Sequence, residues 1–280
     1  MTGSVQARLR RLPRIRRARG YRLYTVDGRR ILDLWQAGGR AILGHRGEVV
    51  SVVKRVLDRG VLAAMPAVQE RRLEQALRRL LGDDASLRVA VYASRRRAIE
   101  AVASSIGLPA SCTPADPARP TNDGACRLEY WRPFLPDAPR TLPWPPPTVL
   151  LPILPDGGLF EAQTVVYSSD LGVTLLSDLV PEPALAALTA AAWGLVSSSH
   201  RPVLRLPGFE CAGPYLALEA VEDYDSVFDC FLRSGVLISP DPEVPSIVPG
   251  EMSDGERACL ETTARAAVGQ SAGRGGTGGN

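Results

Sequence analysis

Apolar residues recur at helical spacing in several stretches of the chain. In the clearest stretch, Val49, Val53 and Val56 lie on one stripe, and Gly60 suits the end of the helix. A Ser-x-x-Glu pattern begins at Ser253 and has the spacing of a capping box, which predicts that a further helix starts there. The helices predicted from spacing cover residues 48–59, 68–81, 97–106, 184–196 and 224–234.

Shorter apolar runs predict β-strands between these helices. Residues 21–26 and 30–35 flank Asp27-Gly28, a pair that favours a tight hairpin turn because glycine adopts positive φ without steric cost. The other predicted strands cover residues 87–92, 149–151, 164–167, 215–221 and 236–238. Helices that alternate with strands in this way indicate an α/β fold.

The middle of the chain departs from this regular pattern. Residues 109–155 hold 13 of the 24 prolines. Because proline cannot donate a hydrogen bond to a sheet ladder, this stretch is predicted to be a long connector and not a series of central strands. The predicted organisation is a basic N-terminal arm (1–20), a hairpin and helix (21–60), a reduced large α/β domain (61–204) with the proline-rich insert (109–155), a small C-terminal domain (205–268) and a disordered tail (269–280).

Charge is concentrated at the N-terminus. Seven arginines fall within residues 8–19, which favours either a solvated segment or an arm that binds nucleic acid. The net charge of only +3 and the lack of aromatic residues among these arginines argue against a nucleic-acid partner. No apolar run is long enough to cross a membrane, and no signal-peptide core follows the arginines, so we expect a cytoplasmic protein without a membrane partner.

Residues that carry out most enzyme chemistry are scarce. The chain has 32 arginines but a single lysine, Lys54, and two histidines, His45 and His200. Arginine stays protonated and cannot replace lysine as a nucleophilic amine. Five cysteines without a C-x-x-C pair predict neither a disulfide framework nor a metal site. Residue types alone therefore single out no catalytic residue and no metal ligand.

Four segments match patterns that occur together, in this order, in one known family. Residues 23–35 (LYTVDGRRILDLW) and 41–50 (AILGHRGEVV) are similar to its N-terminal hairpin and to the loop that leads into its first helix. Residues 89–103 (VAVYASRRRAIEAVA) resemble its strand, phosphate loop and following helix, and residues 215–260 resemble its small C-terminal domain. The family is that of the class III, pyridoxal-phosphate-dependent aminotransferases, of the glutamate-1-semialdehyde aminomutase type.

The resemblance implies a fold, a cofactor and a partner. The fold is that of the pyridoxal-phosphate-dependent transferases of fold type I, a three-layer sandwich, here with a reduced central sheet, plus a small α+β C-terminal domain. Family members are dimers with active sites at the subunit interface, which implies a homodimer or a heterodimer with a complete paralogue. In the family, an "SGTEA" loop at a helix N-terminus holds the cofactor's phosphate. Its counterparts here are Ser94, Arg95 and Arg96, which implies an anion site at these three residues.

The chemistry of the family needs a lysine that forms an imine with the cofactor. No lysine follows Lys54, which falls on the polar flank of the first predicted helix. Asp178 matches the family's cofactor-binding aspartate only superficially, and we interpret it as a structural acid or a cap. The sequence around His45 shows no pattern that pairs it with a nearby carboxylate or nucleophile, and we interpret it as structural. We therefore expect no catalytic residue, and no cofactor beyond the pyridoxal phosphate that the resemblance implies.

Three functions remain open at this point. The first is a shortened, degenerate pseudoenzyme that serves as a noncatalytic binding or partner subunit. The second is an aminotransferase-like or aminomutase-like enzyme that still binds pyridoxal phosphate, with weak or altered activity. The third is a nucleic-acid-associated protein that uses the basic N-terminal arm. The missing lysine favours the first over the second, and the weak charge balance argues against the third.

Overall fold

The computed structural model describes residues 2–45, 47–82, 85–109, 111–119, 127–135, 149–198, 202–218 and 223–274. In chain order, its helices are α1 (Thr2–Leu9), α2 (Glu48–Leu57), α3 (Val68–Leu81), α4 (Arg95–Ile106), α5 (Glu182–Val196), α6 (Tyr224–Arg233) and α7 (Asp254–Arg274). Its strands are β1 (Ile15–Arg19), β2 (Arg22–Thr25), β3 (Arg30–Asp33), β4 (Leu87–Tyr92), β5 (Leu128–Trp131), β6 (Val149–Pro152), β7 (Gln163–Ser168), β8 (Phe209–Ala212), β9 (Tyr215–Leu218), β10 (Val236–Leu237) and β11 (Ser246–Ile247).

These elements form two compact units, each built from separate stretches of the chain. The first unit consists of the described parts of Met1–Arg46, Phe134–Pro136 and His200–Asn280. The second consists of the described parts of Gly47–Pro133 and Asp137–Ser199. The hairpin near the N-terminus thus shares a unit with the C-terminal elements, whereas α2 belongs to the second unit.

The first unit is closed by a parallel strand pair between the two ends of the chain. Its larger sheet has the order β1-β2-β3-β10, and the β2–β3 hairpin turns at Gly28 with a φ of 86°, as the Asp-Gly pair predicts. The Leu32 N–H donates to the Gly235 carbonyl and the Leu34 N–H to the Leu237 carbonyl, both at 2.8 Å. A second sheet has the order β11-β9-β8.

Helices α6 and α7 cover the core of this unit. Phe228, Phe231 and Leu260 are fully buried, and the Phe231 ring meets the edge of the Phe209 ring at 6.0 Å between centroids. Both helices begin close to the residues predicted from sequence. The capping box is present, because the Glu256 N–H donates to Ser253 Oγ and the Ser253 N–H donates to the Glu256 carboxylate.

The arginine-rich N-terminus forms regular structure, namely α1 and β1, where the sequence predicts a basic arm. Arg8 is buried, and its guanidinium donates to both carboxylate oxygens of Asp225 and to the Pro240 carbonyl. Arg11 lies 2.6 Å from the same carboxylate. These ion pairs join residues more than 200 positions apart, so no local sequence pattern shows them. They attach the N-terminus to α6.

The second unit contains a four-stranded sheet between helices. The strand order is β4-β7-β6-β5, with β7 antiparallel to both of its neighbours and β5 parallel to β6. Helix α4 packs on one face of this sheet. Its Ala98 and Val102 share a buried apolar cluster with Ala90, Val165 and Leu151. Helix α5 packs against both α2 and α3 and is buried on nearly all sides, as its continuous apolar sequence predicts.

The proline-rich stretch contributes more structure than its composition predicts. Strand β5 lies inside it and pairs in parallel with β6 at the edge of the sheet. The prediction of a plain connector is wrong here because residues 127–132 contain no proline, and Pro152 falls at the very end of β6. Residues 120–126 and 136–148 of this stretch lie outside the described part of the chain.

Two further observations concern the length and composition of the helices. Helix α7 continues to Arg274, into the stretch for which composition predicts disorder, and residues 275–280 lie outside the described part. Within the described ranges, none of the helices has the length and apolar character that crossing a membrane requires.

The pair of Arg22 and Glu256 predicts how the first unit responds to acid. Arg22 donates two hydrogen bonds of 2.8 Å to this carboxylate, and these bonds, with those from Ser253, lower the pKa of Glu256 to about 2. A lowered pKa stabilises the fold above the unfolded value near 4.5, and the contribution is lost as the pH falls towards 2. We expect Glu256→Gln to lower the free energy of unfolding by about 2 kcal/mol at pH 7.

Urea unfolding at pH 7 and at pH 2.5 measures this effect. The destabilisation should shrink at the lower pH, where Glu256 of the wild type is itself partly protonated. Glu251→Gln is the matched control, because Glu251 is 83% exposed and should change stability by less than about 0.5 kcal/mol. Equal stability of Glu256→Gln and the wild type at pH 7 would show that the ion pair contributes nothing.

Candidate functional site

The residues implied as a phosphate site lie where β4 ends and α4 begins. Ser94 caps the helix, and its Oγ accepts the Arg97 N–H at 3.2 Å. This cap starts α4 at Arg95, two residues before the position predicted from apolar spacing. The strand-turn-helix arrangement implied by the resemblance is therefore present around Ser94.

The arginines at this turn point to different partners within the protein. The Arg95 guanidinium lies 5.4 Å above the Tyr130 ring, and its Nε is 3.4 Å from Gln163 Oε1. Arg96 Nε donates to Glu100 at 2.8 Å along the helix. Ser94, Arg95 and Arg96 are consecutive residues, but the side chains of the two arginines contact different partners.

A carboxylate already lies at this end of α4. Asp178 Oδ2 accepts the Ala93 N–H at 3.1 Å, and its Oδ1 is 3.6 Å from Arg97 Nε. The segment that carries Asp178 is held beside β4, because Asp178 N–H donates to the Val91 carbonyl at 2.9 Å and Ser177 Oγ accepts the Val91 N–H at 3.1 Å. The carboxylate thus provides negative charge at the positive end of the helix dipole.

The phenol of Tyr92 borders the same turn. Burial raises the pKa of Tyr92, and the Arg97 guanidinium, 5.9 Å from the ring centroid, only partly opposes that shift. The side chain is 1% exposed. Tyr92 therefore lines this site with an uncharged phenol at physiological pH.

The residues present do not fit covalent attachment of pyridoxal phosphate. An imine with its aldehyde needs a neutral side-chain amine, and the chain has only Lys54. Lys54 is exposed on α2, and apolar Val49, Val53 and Val56 form the buried side of that helix. In the first turn of α4 the Arg97 N–H is already paired with Ser94, and just before the cap the Ala93 N–H is paired with Asp178.

A second polar cluster lies in the first unit around Asp33. Asp33 is 1% exposed, and its Oδ2 lies 2.8 Å from His45 Nε2. Its Oδ1 accepts the N–H groups of Trp35 and Gln36, both at 2.9 Å. The premise that His45 has no carboxylate nearby is wrong, because the fold brings Asp33 to it from twelve residues earlier. Asp33 and His45 both fall within the segments that resemble the aminotransferase family, and that resemblance is what could have pointed to their contact.

This cluster holds an unusual backbone turn. Gln36 and Ala37 have φ angles of 46° and 50°, a left-handed conformation that costs energy for residues other than glycine. Asp33 offsets that cost through its two backbone hydrogen bonds, and Gln36 Nε2 donates to the Ile247 carbonyl at 3.0 Å. The cluster thus orders the loop that follows β3, in line with a structural role for His45.

No metal centre is found in the part of the chain that the structure describes. No group of three or more His, Cys, Asp or Glu side chains in the described ranges is arranged to hold a metal ion. His200 lies outside the described residues.

Comparison of the sequence with known proteins identifies two spirochaete relatives. An uncharacterized protein of Treponema pallidum (strain Nichols) is 31% identical over 202 residues, and the match covers 71% of this chain and 59% of that protein. The chain therefore spans less than two thirds of that relative. An uncharacterized protein of Borreliella burgdorferi is 41% identical over 58 residues, which are 20% of this chain and 22% of that protein. No protein-family model matches the chain.

Comparison of the fold with solved structures finds aminotransferases over nearly the whole chain. An omega-transaminase from Sphaerobacter thermophilus matches with a TM-score of 0.59 and 14% identity, covering 97% of each chain. Acetylornithine aminotransferase from Elizabethkingia anophelis matches with 0.60 and 12%, covering 92% of this chain and 94% of the other. Ornithine aminotransferase from Plasmodium yoelii matches with 0.61 and 13%, over the same shares.

These similarities define the class of fold. The chain has the α/β fold of the pyridoxal-phosphate-dependent aminotransferases, and the fold class predicted from the sequence is confirmed. At identities of 11–16% the similarity speaks for the fold alone, because one fold hosts many activities.

The contact between Asp178 and the start of α4 predicts a gain of anion binding when the carboxylate is removed. Asp178→Ala leaves the Ala93 N–H and the Arg97 guanidinium without their anion. We expect 10 mM phosphate to raise the melting temperature of this variant by about 2–4 °C, which corresponds to a dissociation constant near 1 mM. The wild type should shift by less than about 1 °C, measured by scanning fluorimetry at constant ionic strength with chloride as the reference.

Asp170→Ala is the matched control, since it removes an exposed carboxylate from the same unit without touching α4. A phosphate response of the wild type as large as that of Asp178→Ala would show that the carboxylate does not occupy an anion site.

Proposed function

We propose that this protein uses the aminotransferase fold as a noncatalytic binding or structural subunit. One observation supports this proposal above all others: Lys54 is the only lysine, and it lies on the exposed side of α2. Lysine nucleophiles are commonly activated by desolvation in an apolar pocket, and an exposed side chain on α2 has no such surroundings. Covalent chemistry on pyridoxal phosphate therefore has no residue to begin it in this chain.

The start of α4 agrees with this proposal. Asp178 supplies negative charge where an external phosphate would add it, and a second anion there would meet repulsion from that carboxylate. Arg95 and Arg96 are engaged with Tyr130 and Glu100, so their guanidinium groups are held away from the cap. The same turn keeps its structural role in the fold without a cofactor.

The alternative is an enzyme of the aminotransferase or aminomutase type with weak or altered activity. Support for it comes from the structures with the same fold, one of which is a transaminase with PLP bound, with a TM-score of 0.57 and 12% identity. In this alternative the cofactor is held without a covalent bond. The resemblance to glutamate-1-semialdehyde aminomutases in residues 23–35 and 89–103 belongs to this alternative as well.

We propose further that the subunit pairs with a second copy of itself, in the cytoplasm. The second unit exposes apolar side chains on α2 and on the segment that follows it. Their exposed fractions lie between 43% and 70%, and the residues are Val50, Leu57, Leu62, Met65 and Val68. A two-fold arrangement would place the acidic start of α2, at Glu48, opposite the basic end with Lys54 and Arg55 in its partner. Pairing with a complete aminotransferase paralogue is the other outcome to be tested.

Reduction with borohydride tests the noncatalytic proposal. Wild-type protein mixed with pyridoxal phosphate and an amino donor should show no imine absorption band that a defined site saturates, and no amine transfer. Borohydride followed by mass spectrometry should find only slow, unsaturable labelling at Lys54 or at the chain's N-terminal amine. Lys54→Arg is the control and should remove the side-chain label without changing stability. A saturable adduct, or transamination above the rate of free cofactor, would overturn the proposal in favour of the enzyme.

Light scattering coupled to size-exclusion chromatography tests the pairing. The wild type should elute at about twice the chain mass of 30.0 kDa. Leu57→Asp combined with Leu62→Asp should give the single-chain mass, because each change places a charge in a desolvated apolar contact. Val26→Asp is the matched control: Val26 is 63% exposed but lies in the hairpin turn of the first unit. A wild type that runs as one chain, and pairs only when a complete aminotransferase is added, would overturn self-association.

A further inference from the structure

The structure separates the N-terminal arginines into two groups. Arg8 and Arg11 form ion pairs with Asp225 on α6 and so belong to the framework of the first unit. The others are exposed, and among the described residues none of them forms an ion pair with a carboxylate. These exposed arginines are Arg10, Arg14, Arg16, Arg17 and Arg19.

Pairing of β1, β2 and β3 arranges part of this charge around an aromatic ring. In the sheet, Arg17 lies opposite Tyr24, and Tyr24 lies opposite Arg30, so the three side chains share one face in a row. Neighbouring strands are about 4.8 Å apart. The Arg17 guanidinium lies 4.4 Å from the Tyr24 ring centroid. Arg30 is 57% exposed and only loosely paired, at 3.7 Å, with Glu256.

The edge of the sheet adds further fixed charge. β1 pairs with β2 alone, and the register shifts between Ile15 and Arg17, which places Arg16 in a bulge. A bulge turns its residue away from the regular ladder. Arg19 lies opposite Arg22 at the far end of the strand. We call Arg16, Arg17, Arg19, Tyr24 and Arg30 the basic face. Its residues belong to a hydrogen-bonded sheet, in which Arg22, opposite Arg19, is already paired with Glu256.

We propose that this basic face binds single-stranded nucleic acid, an activity separate from the function proposed above. A sheet surface with an aromatic ring between guanidinium groups suits exposed bases, which stack on the ring and on arginine planes, while neighbouring arginines pair with phosphates. The face offers no helix to enter the major groove of a duplex.

Two sequence features that speak against a nucleic-acid partner do not describe this surface. The net charge of +3 averages the whole chain. Residues 8–19 contain no aromatic residue, but the sheet brings Tyr24 against Arg17 from seven residues later.

Fluorescence anisotropy with labelled 12-nucleotide dT and U strands tests this proposal on the full chain. We expect binding in the micromolar range at 50 mM salt, with affinity falling as salt rises at a logarithmic slope of about −2 to −3, as expected for three to four phosphate contacts. Arg16→Gln, Arg17→Gln and Arg19→Gln together should weaken binding at least about tenfold and reduce that slope. A duplex of the same length should bind more weakly than either single strand.

A second triple variant separates the basic face from overall charge. Arg71→Gln, Arg72→Gln and Arg79→Gln remove the same charge from exposed positions on α3 and should change affinity by less than about twofold. Tyr24→Leu should weaken binding about fivefold with the salt slope unchanged, and Tyr24→Phe should bind like the wild type. If the variant with Arg16, Arg17 and Arg19 all changed to Gln unfolds, Arg16→Gln alone replaces it in the test, because the bulge residue makes no regular ladder contact.

Three results would overturn the proposal. The first is no binding at 50 mM salt. The second is equal weakening by the two triple variants, which would mean that net charge alone attracts the strand. The third is tighter binding to an acidic peptide or to vesicles with anionic lipid than to the oligonucleotides, which would assign the face to another partner.

Discussion

The parallel pairing of β3 with β10 is the constraint on which the first unit depends. It joins residues about 200 positions apart, and the ion pairs of Arg8 with α6 and of Arg22 with α7 lie on either side of it. Contacts so distant in sequence carry a large entropic cost of closure, so they form together or not at all. The hairpin that resembles the aminotransferase N-terminus is therefore stable only with the C-terminal elements in place.

Much of the fold follows from local sequence signals. Helices α2, α3 and α6 begin and end near the predicted residues, and α7 begins near its predicted start, because apolar spacing, a glycine stop and a capping box each act within a few positions. Most elements that were not predicted depend on contacts between residues far apart in the chain. Helix α1 and strand β1 contain too little apolar sequence to be predicted. Carboxylates on α6 hold α1 and the residues just after it through Arg8 and Arg11, and β1 pairs with β2. Strand β5 was not predicted, because the proline content was averaged over residues 109–155. The residues of β5 itself include no proline.

The candidate site shows the same division between local and distant signals. The sequence correctly indicates a strand, a turn with Ser94 as its cap, and a helix, because these are neighbours in the chain. It does not show that Asp178 reaches that turn from 85 residues away, or that Asp33 holds His45. Both carboxylates contact backbone N–H groups, and such partners leave no trace in residue spacing. The anion site at Ser94, Arg95 and Arg96 stays a prediction. The fold adds contacts of Arg95 with Tyr130 and of Arg96 with Glu100, which residue order does not show.

Asp178 also bears on how the turn before α4 is stabilised. A helix that begins at the end of a buried strand presents N–H groups that need an acceptor, and a bound phosphate is one solution. A carboxylate from the same chain is another, and it stabilises the turn at every ligand concentration. In this chain Asp178 accepts the Ala93 N–H just before the cap and lies 3.6 Å from the Arg97 guanidinium, so these two groups have a partner within the protein.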